Sequence, residues 1–316
     1  MARVVVVGSF NVDHVWRCDT LPRPGETRAG VYASGPGGKG FNQAVAAARA
    51  GASTRFVCAL GDDAGAQLAR ALAVADGIDL CEKRSTQPTG TAGIYVDAQG
   101  RNSIAIGAGA NETLDAAFVQ SQRDATSDAR VVLVQCESPD AAIVAALALG
   151  RAANATTVLN PAPANANVGS GLLALADIAT PNETEFAALL AAHADARIDP
   201  ATVVDQSDAA LHALCRCLLP HGTVVVTLGA AGAFVSHADN ARRGDDAAHY
   251  RIPAAPANPI DTTGAGDAFS GALAASMAQR DAAFAEHVRF AALYAARSTE
   301  RAGAAAAMPK LLATDR

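Results

Sequence analysis

An α/β fold built on a three-layer, doubly wound, mostly parallel sheet follows from three features of this 316-residue sequence. Short β-branched runs alternate with alanine-rich stretches at helical spacing. The β-branched runs read as strands buried on both faces, as in parallel sheets. Two regions break the rhythm with strand-like pieces that have no helix between them, which predicts a small second sheet.

The strands predicted for the main sheet are Val4–Val7, Arg55–Ala59, Val131–Gln135, Thr156–Leu159 and Thr223–Leu228, with a shorter strand-like piece at Asp177–Thr180. Helices are predicted over Gly40–Arg49, Ala64–Val74, Pro139–Ala148, Thr184–Ala192 and Ala209–Leu218, with Ala265–Ala278 and Ala282–Ser298 closing the chain. The two irregular regions are Val12–Ala33, which carries Pro22, Pro24 and Gly25, and a hairpin-like pair, Thr91–Asp97 and Asn102–Ile106, around Gln99-Gly100. The polar stretch Arg242–His249 reads as an exposed loop. The length fits one large domain spanning residues 1–316.

Composition narrows the function classes. Half the residues are hydrophobic, enough for a sizeable core, and aromatics are scarce. The net charge is −6 and lysine occurs only at positions 39, 83 and 310, so no basic stripe suits nucleic acid. The six cysteines contain no CxxC pair, and Cys215-x-Cys217 lacks a second ligand pair at zinc spacing. They read as free thiols of a reducing compartment. The run Val4–Val7 is too short for a signal-peptide core, and no stretch approaches the roughly 20 apolar residues of a membrane span. A cytoplasmic protein with no membrane partner is expected.

Chemistry concentrates in Asp261-Thr262-Thr263-Gly264-Ala265-Gly266-Asp267, which opens an apolar helix. Small residues at 264–266 let backbone N–H groups converge, and the helix N-terminus adds partial positive charge. Together they suit a phosphoryl group in transfer. Asp267 at the same junction can accept a proton from an attacking hydroxyl. The plain structural alternative is a glycine turn followed by a helix-start carboxylate.

Other loops follow predicted strands, where open α/β sheets bind ligands. Gly8–Asp13 places Asn11 and Asp13 where a polyhydroxy substrate can be gripped, and Glu137 follows the strand at 131–135. The loop Gly35–Gln43 is glycine-rich without being a Walker A loop; Lys39 and Asn42 offer polar groups to hydroxyls. It also reads as a tight strand-to-helix turn. Asn182 and Glu185 can act on hydrated magnesium or can simply cap a helix. The segment Thr227–Gly232 has side chains small enough to admit a flat base and its phosphates.

These segments taken together resemble the ribokinase-type carbohydrate kinases nearly end to end. The resemblance runs through Gly8–His14, Gly37–Ala46, Gly109-Ala110-Asn111, Glu137-Ser138-Pro139, Asn160-Pro161-Ala162-Pro163, Thr180–Glu185, Thr227–Gly232 and, most specifically, Asp261–Asp267. It implies a ribokinase-like fold and transfer of the γ-phosphoryl group of MgATP to O5 of D-ribose. Asp267 is then the base, and Gly264, Ala265 and Gly266 form the anion hole. Asn11, Asp13, Gly38, Lys39, Asn42 and Glu137 contact the sugar. Asn182, Glu185, Thr227, Gly229, Gly232 and Gly266 serve the nucleotide and magnesium. The irregular regions, about 12–36 and 90–108, become a β-sheet lid that also makes a homodimer contact. A potassium site is implied at Asp261, Thr263, Ser298, Arg301 and Gly303.

Three departures from the family pattern stand out. Ala307 occupies a position where a serine is common, Ala231 one where a basic residue is common, and Phe41 one where a small residue is usual. A Phe41 ring in the pocket would favour another acceptor, such as deoxyribose, fructose or a nucleoside. A non-catalytic sugar-binding protein that kept the fold is the alternative of a different class.

Overall fold

The computed structural model describes residues 3–166 and 168–311; residues 1, 2, 167 and 312–316 of the expected 1–316 domain lie outside the described residues. The strands are β1 (Val4–Val7), β2 (Asn11–Arg17), β3 (Val31–Gly37), β4 (Thr54–Leu60), β5 (Asp79–Arg84), β6 (Gly90–Val96), β7 (Asn102–Gly107), β8 (Val131–Gln135), β9 (Thr156–Asn160), β10 (Ile178–Ala179), β11 (Thr223–Thr227), β12 (Ala233–His237) and β13 (His249–Ile252). The helices are α1 (Lys39–Arg49), α2 (Ala64–Ala75), α3 (Ala116–Ser121), α4 (Arg123–Thr126), α5 (Asp140–Ala152), α6 (Ser170–Leu173), α7 (Glu183–His193), α8 (Asp208–Leu218), α9 (Ala265–Gln279) and α10 (Phe284–Ser298).

Among the described residues the main sheet has the order β13-β12-β11-β10-β9-β8-β1-β4-β5. It is parallel from β5 to β11, and β12 and β13 extend one edge antiparallel. The alternating pleat sorts side chains onto two cores. Val4 and Val6 of β1, Val131 and Leu133 of β8 and Val225 of β11 face the core formed with α1, α2, α9 and α10. Val5, Val7, Val132, Val134, Val224 and Val226 face the opposite core with α5, α7 and α8. Both faces are therefore dry, which explains why these strands read as unbroken apolar runs.

The irregular regions form a separate four-stranded sheet, β3-β2-β6-β7, with β2 and β6 parallel and both outer pairs antiparallel. Its β2 begins at Asn11, paired to Gly37 on one side and Gly90 on the other. Those glycines make room for polar side chains. A Cβ on Gly90 would lie 2.2 Å from Asn11 Oδ1, and one on Gly37 would lie 2.2 Å from the Asp13 carboxylate.

The strands β5, β12 and β13 escape sequence reading because they lie at or next to the sheet edges and carry charged or polar residues such as Glu82, Lys83, His237 and Arg251. The expected exposed loop at 242–249 is irregular, but it is anchored. The Asp245 side chain is almost fully buried and accepts hydrogen bonds from the Ala285 amide (3.0 Å) and Tyr250 Oη, with His237 Nε2 at 3.0 Å. All six cysteines are free. Among the described residues no helix is long and apolar enough to cross a membrane.

Candidate active site

The parallel strands end on one side of the sheet, and the site is assembled there. The loop after β1 brings Ser9, the start of β2 brings Asn11, the segment after β8 brings Glu137, β9 ends in Asn160, and Asn182 follows β10. An isolated parallel bridge ties Asn182 to Thr227 at the end of β11, and the Thr227 amide donates to the Pro181 carbonyl at 2.9 Å.

Across these strand ends lies the start of α9. Gly264 is its N-cap, left-handed at φ 75°, and Asp267 occupies its third position. The Ala265 amide is taken by the Thr262 carbonyl at 3.1 Å, which tightens the turn. The amides of Gly266 and Asp267 stand in the first turn, where a helix supplies no internal acceptor. Of the expected cradle, Ala265 thus contributes a small side chain rather than a free donor.

Asp267 is buried, with 6% of its surface exposed. Its Oδ2 accepts from Asn42 Nδ2 at 2.9 Å and its Oδ1 from Gln43 Nε2 at 2.8 Å. Both donors lie on α1. Burial pushes the carboxyl above its ordinary value, while the Lys39 ammonium and the two amides oppose that rise. Burial also pulls Lys39 down, yet Asp267, Glu137 and Glu185 together carry it above its ordinary value. The site thus holds a fixed cation among carboxylates.

The residues expected to contact the sugar converge on the same space. Glu137 Oε2 accepts from Ser9 Oγ at 2.6 Å and from the Lys39 amide at 3.0 Å, which pins the start of α1 to the end of β8. Gly38 is the N-cap of α1 with φ 87°. Asp13 is pushed up to about 6 by burial, then by the Glu137 and Asp267 carboxylates. Asn111, left unassigned by sequence reasoning, clamps this corner. Its Oδ1 accepts from the Phe10 amide, and its Nδ2 donates to the Phe10 carbonyl and to Asn11 Oδ1, all within 3.0 Å. Gln43 was passed over in the same way; its place beside Asn42 in the glycine-rich loop was the available signal.

Phe41 does not face the pocket. It is 1% exposed and packs edge-on against Phe10 and Phe56 at 5.0 and 5.8 Å between ring centres. Its size fills the core under α1, which removes the reason for expecting an unusual acceptor.

Among the residues expected to serve the nucleotide, Asn182 and Glu185 form a reciprocal capping box. Asn182 Oδ1 accepts from the Glu185 amide at 2.8 Å, and Glu185 Oε2 accepts from the Asn182 amide at 2.9 Å. Burial raises the Glu185 carboxyl above its ordinary value, against the Asn182 amide and Lys39. Gly229 and Gly232 flank a short 3-10 turn after β11, both at positive φ, with Ala231 exposed between them.

Of the five residues expected at a cation, three are brought together. Asp261 Oδ1 accepts from the amide and hydroxyl of Thr263 at 2.9 and 2.6 Å, and Oδ2 from the Gly303 amide at 2.9 Å. Burial works to raise Asp261, but these hydrogen bonds hold it below the usual carboxylate range. The Ser298 hydroxyl turns back onto the Ala295 carbonyl at 2.7 Å, and Arg301 is exposed.

A glycine cradle, a buried carboxylate and polar loops gathered at the ends of the parallel strands define a phosphotransferase for a hydroxylated substrate. The family profile of pfkB family carbohydrate kinases matches residues 1–311, and the chain belongs to that family. Within the family its relatives include ribokinases. It is 34% identical to the ribokinase of Haemophilus influenzae over 309 residues, covering 97% of this chain and 95% of that one. It is 31% identical to the deoxyribokinase of Salmonella typhimurium, covering 92% and 91%. A bifunctional ribokinase/ribose-5-phosphate isomerase A of Fructilactobacillus sanfranciscensis is 37% identical over 283 residues, and this chain spans about half of its length (49%). Among solved structures, Arabidopsis thaliana ribokinase complexed with ribose and ATP superposes with a TM-score of 0.80 at 29% identity, covering 98% and 96% of the two chains.

Proposed function

We propose that this protein transfers the γ-phosphoryl group of ATP to O5 of D-ribose, giving ribose 5-phosphate. The observation that carries this reading is Asp267, buried at the opening of α9 and held through both oxygens by neighbouring residues of α1. The relatives that act on ribose support the acceptor, and the inward packing of Phe41 removes the main argument for another.

In the mechanism, Asn11, Asp13, Lys39, Asn42, Glu137 and the Gly38 backbone hold the sugar so that its primary hydroxyl meets Asp267. Asp267 takes the hydroxyl proton as the sugar oxygen forms its bond to the γ-phosphorus. The bond from that phosphorus to the bridging oxygen breaks in line, and ADP leaves with the electron pair. The amides of Gly266 and Asp267 and the dipole of α9 stabilise the charge on the transferring group, with Gly264 and Ala265 keeping the approach open. Asn182, Thr227, Gly229 and Gly232 line the nucleotide.

Magnesium fits as an ion carried by the nucleotide phosphates. Glu185 has one oxygen committed to the Asn182 amide, and no group of three or more candidate metal ligands occurs among the described residues. A hydrated ion bound through one carboxylate and phosphates matches that donor set. When bound, it neutralises phosphate charge.

Potassium fits beside the ionised Asp261, with Thr263, Ser298, Arg301 and Gly303 contributing mainly through backbone carbonyls. The buried methyl of Ala307 supplies no oxygen, so activation is moderate. Equal rates in potassium and in a large organic cation at matched ionic strength would remove this site.

The second sheet, within about 12–36 and 90–108, acts as a lid on the single 1–316 domain and excludes water from the transfer. It exposes Val31, Tyr32, Ile104 and Ile106, and a second copy of the chain covers this apolar surface in a homodimer. The compartment is the cytoplasm, consistent with six free thiols.

A panel of ribose, deoxyribose, fructose and nucleosides, assayed for ATP-dependent phosphorylation, tests the reading. Ribose is expected to give the highest kcat/KM; a clearly higher value for another member overturns the assignment.

A further inference from the structure

Beneath the base runs a chain of buried amides. Gln135, Gln43 and Asn160 are all buried, on β8, α1 and β9. Gln135 Nε2 donates to Gln43 Oε1 at 2.6 Å. Gln43 Nε2 donates to both Asn160 Oδ1 (2.9 Å) and Asp267 Oδ1 (2.8 Å). Asn160 Nδ2 donates to the Thr180 carbonyl at 2.9 Å.

The direction of this chain is forced from one end. A backbone carbonyl only accepts, so the Asn160 amide must point its nitrogen at Thr180 and its oxygen at Gln43. Gln43 must then turn its nitrogen toward Asn160, and the second hydrogen on that nitrogen falls on Asp267. The Gln43 oxygen is left for Gln135. A flipped Gln43 would oppose oxygen to oxygen at both Asn160 and Asp267 in a buried site.

We propose that Gln43 is a positioning residue for phosphoryl transfer, its amide locked by the Gln135–Asn160–Thr180 relay so that it fixes the Asp267 carboxylate and keeps it ionised. This rests on the reading of Asp267 as the base. Asn42 holds the other oxygen, so the carboxylate cannot rotate without breaking one of two bonds. The relay also joins the base to the nucleotide side, because Thr180 lies two residues before Asn182. The charged groups around Asp267 are Lys39 on α1, Glu137 after β8, Asp13 on β2 and Glu185 on α7. None of these changes in the variants below.

The test is the pH profile of kcat in Gln43→Met and Gln135→Met, beside Asp267→Asn, with ribose and ATP. Gln43→Met removes a hydrogen bond to a charged acceptor, so the ionised base is disfavoured. Its kcat is expected to fall roughly tenfold or more, with KM for both substrates within about twofold, and its acid limb to move to higher pH. Gln135→Met loosens only the far end of the relay and is expected to move the limb the same way by less. If Gln43→Met does not fold, the limb in Gln135→Met decides. A folded variant with wild-type kcat, or one whose kcat falls equally at every pH with an unmoved limb, overturns the proposal. If Asp267→Asn keeps its turnover, the base assignment fails instead; if it is inactive while Gln43→Met matches wild type, only the role of Gln43 falls.

Discussion

Gly271 of α9 lies so close to Gln43 of α1 that a Cβ there would sit 2.4 Å from the Gln43 carbonyl oxygen and 2.6 Å from Ala46 Cβ. Two helices pressed together at this point deliver Asp267 to its amide donors. Gly271→Ala is therefore expected to destabilise the fold by ~1–3 kcal/mol, despite the better helix propensity of alanine. Urea unfolding checks the loss, and kcat should fall with it because α9 carries the proposed base. A variant as stable as wild type would show that the helices can separate freely.

Asp267→Asn keeps the shape and volume of the side chain but cannot take the hydroxyl proton. Turnover is expected to fall by about 10²–10⁴ while ribose binding persists. Stopped-assay rates and calorimetric titration with ribose separate the two effects. Turnover close to wild type would remove Asp267 as the base.

Asp13 carries an unusual pH signature. Its carboxyl is raised to about 6 in the folded protein against an ordinary value of 3.8, so the native state binds the extra proton between those values. Stability then falls as pH rises from about 4 to 6 and stays lower above that. Asp13→Asn is expected to raise stability at pH 8 by on the order of 2 kcal/mol while abolishing tight ribose binding. Melting at pH 8 and at pH 4 checks this; an equal gain at both would place its origin elsewhere.

Asn111→Ala leaves the buried Phe10 backbone groups and Asn11 without partners. A loss of ~1–3 kcal/mol in stability is expected. KM for ribose should rise while KM for ATP stays constant, since the residue supports only Phe10 and Asn11, on the proposed sugar side. An equal rise in both constants would contradict that division.

Phe41→Ala opens a hole between Phe10 and Phe56. The expected cost is ~3–5 kcal/mol, read by denaturant unfolding. The order of preference among ribose, deoxyribose and fructose should be unchanged; a reordering would mean that the ring reaches the pocket.

Much of this was legible in the sequence because buried parallel strands announce themselves. Val4–Val7 and Val131–Gln135 are legible in the sequence at their full length, and the glycine-rich loops fall at strand ends. The edge strand Asp79–Arg84 was lost because an edge tolerates charge, and its Glu82 pairs with Arg70 rather than facing a core. Asn111 and Gln43 are hidden from a sequence for another reason. Their work consists of contacts across 101 and 224 positions, and local spacing carries no trace of such partners. The Asn182–Glu185 pattern showed the converse, since a capping box is a local object and the chain displayed it plainly.

The bond between Asn42 and Asp267 spans 225 positions in the chain. The loops proposed to hold the sugar emerge early in synthesis and the proposed base emerges late, so a growing chain carries its strands long before it carries a reaction centre. The entropy of closing so long a loop must be met before those contacts can form. Activity in this protein is consequently a property of completion: during translation or refolding, the appearance of turnover should trail the appearance of sheet, with α9 docking as the event that separates them.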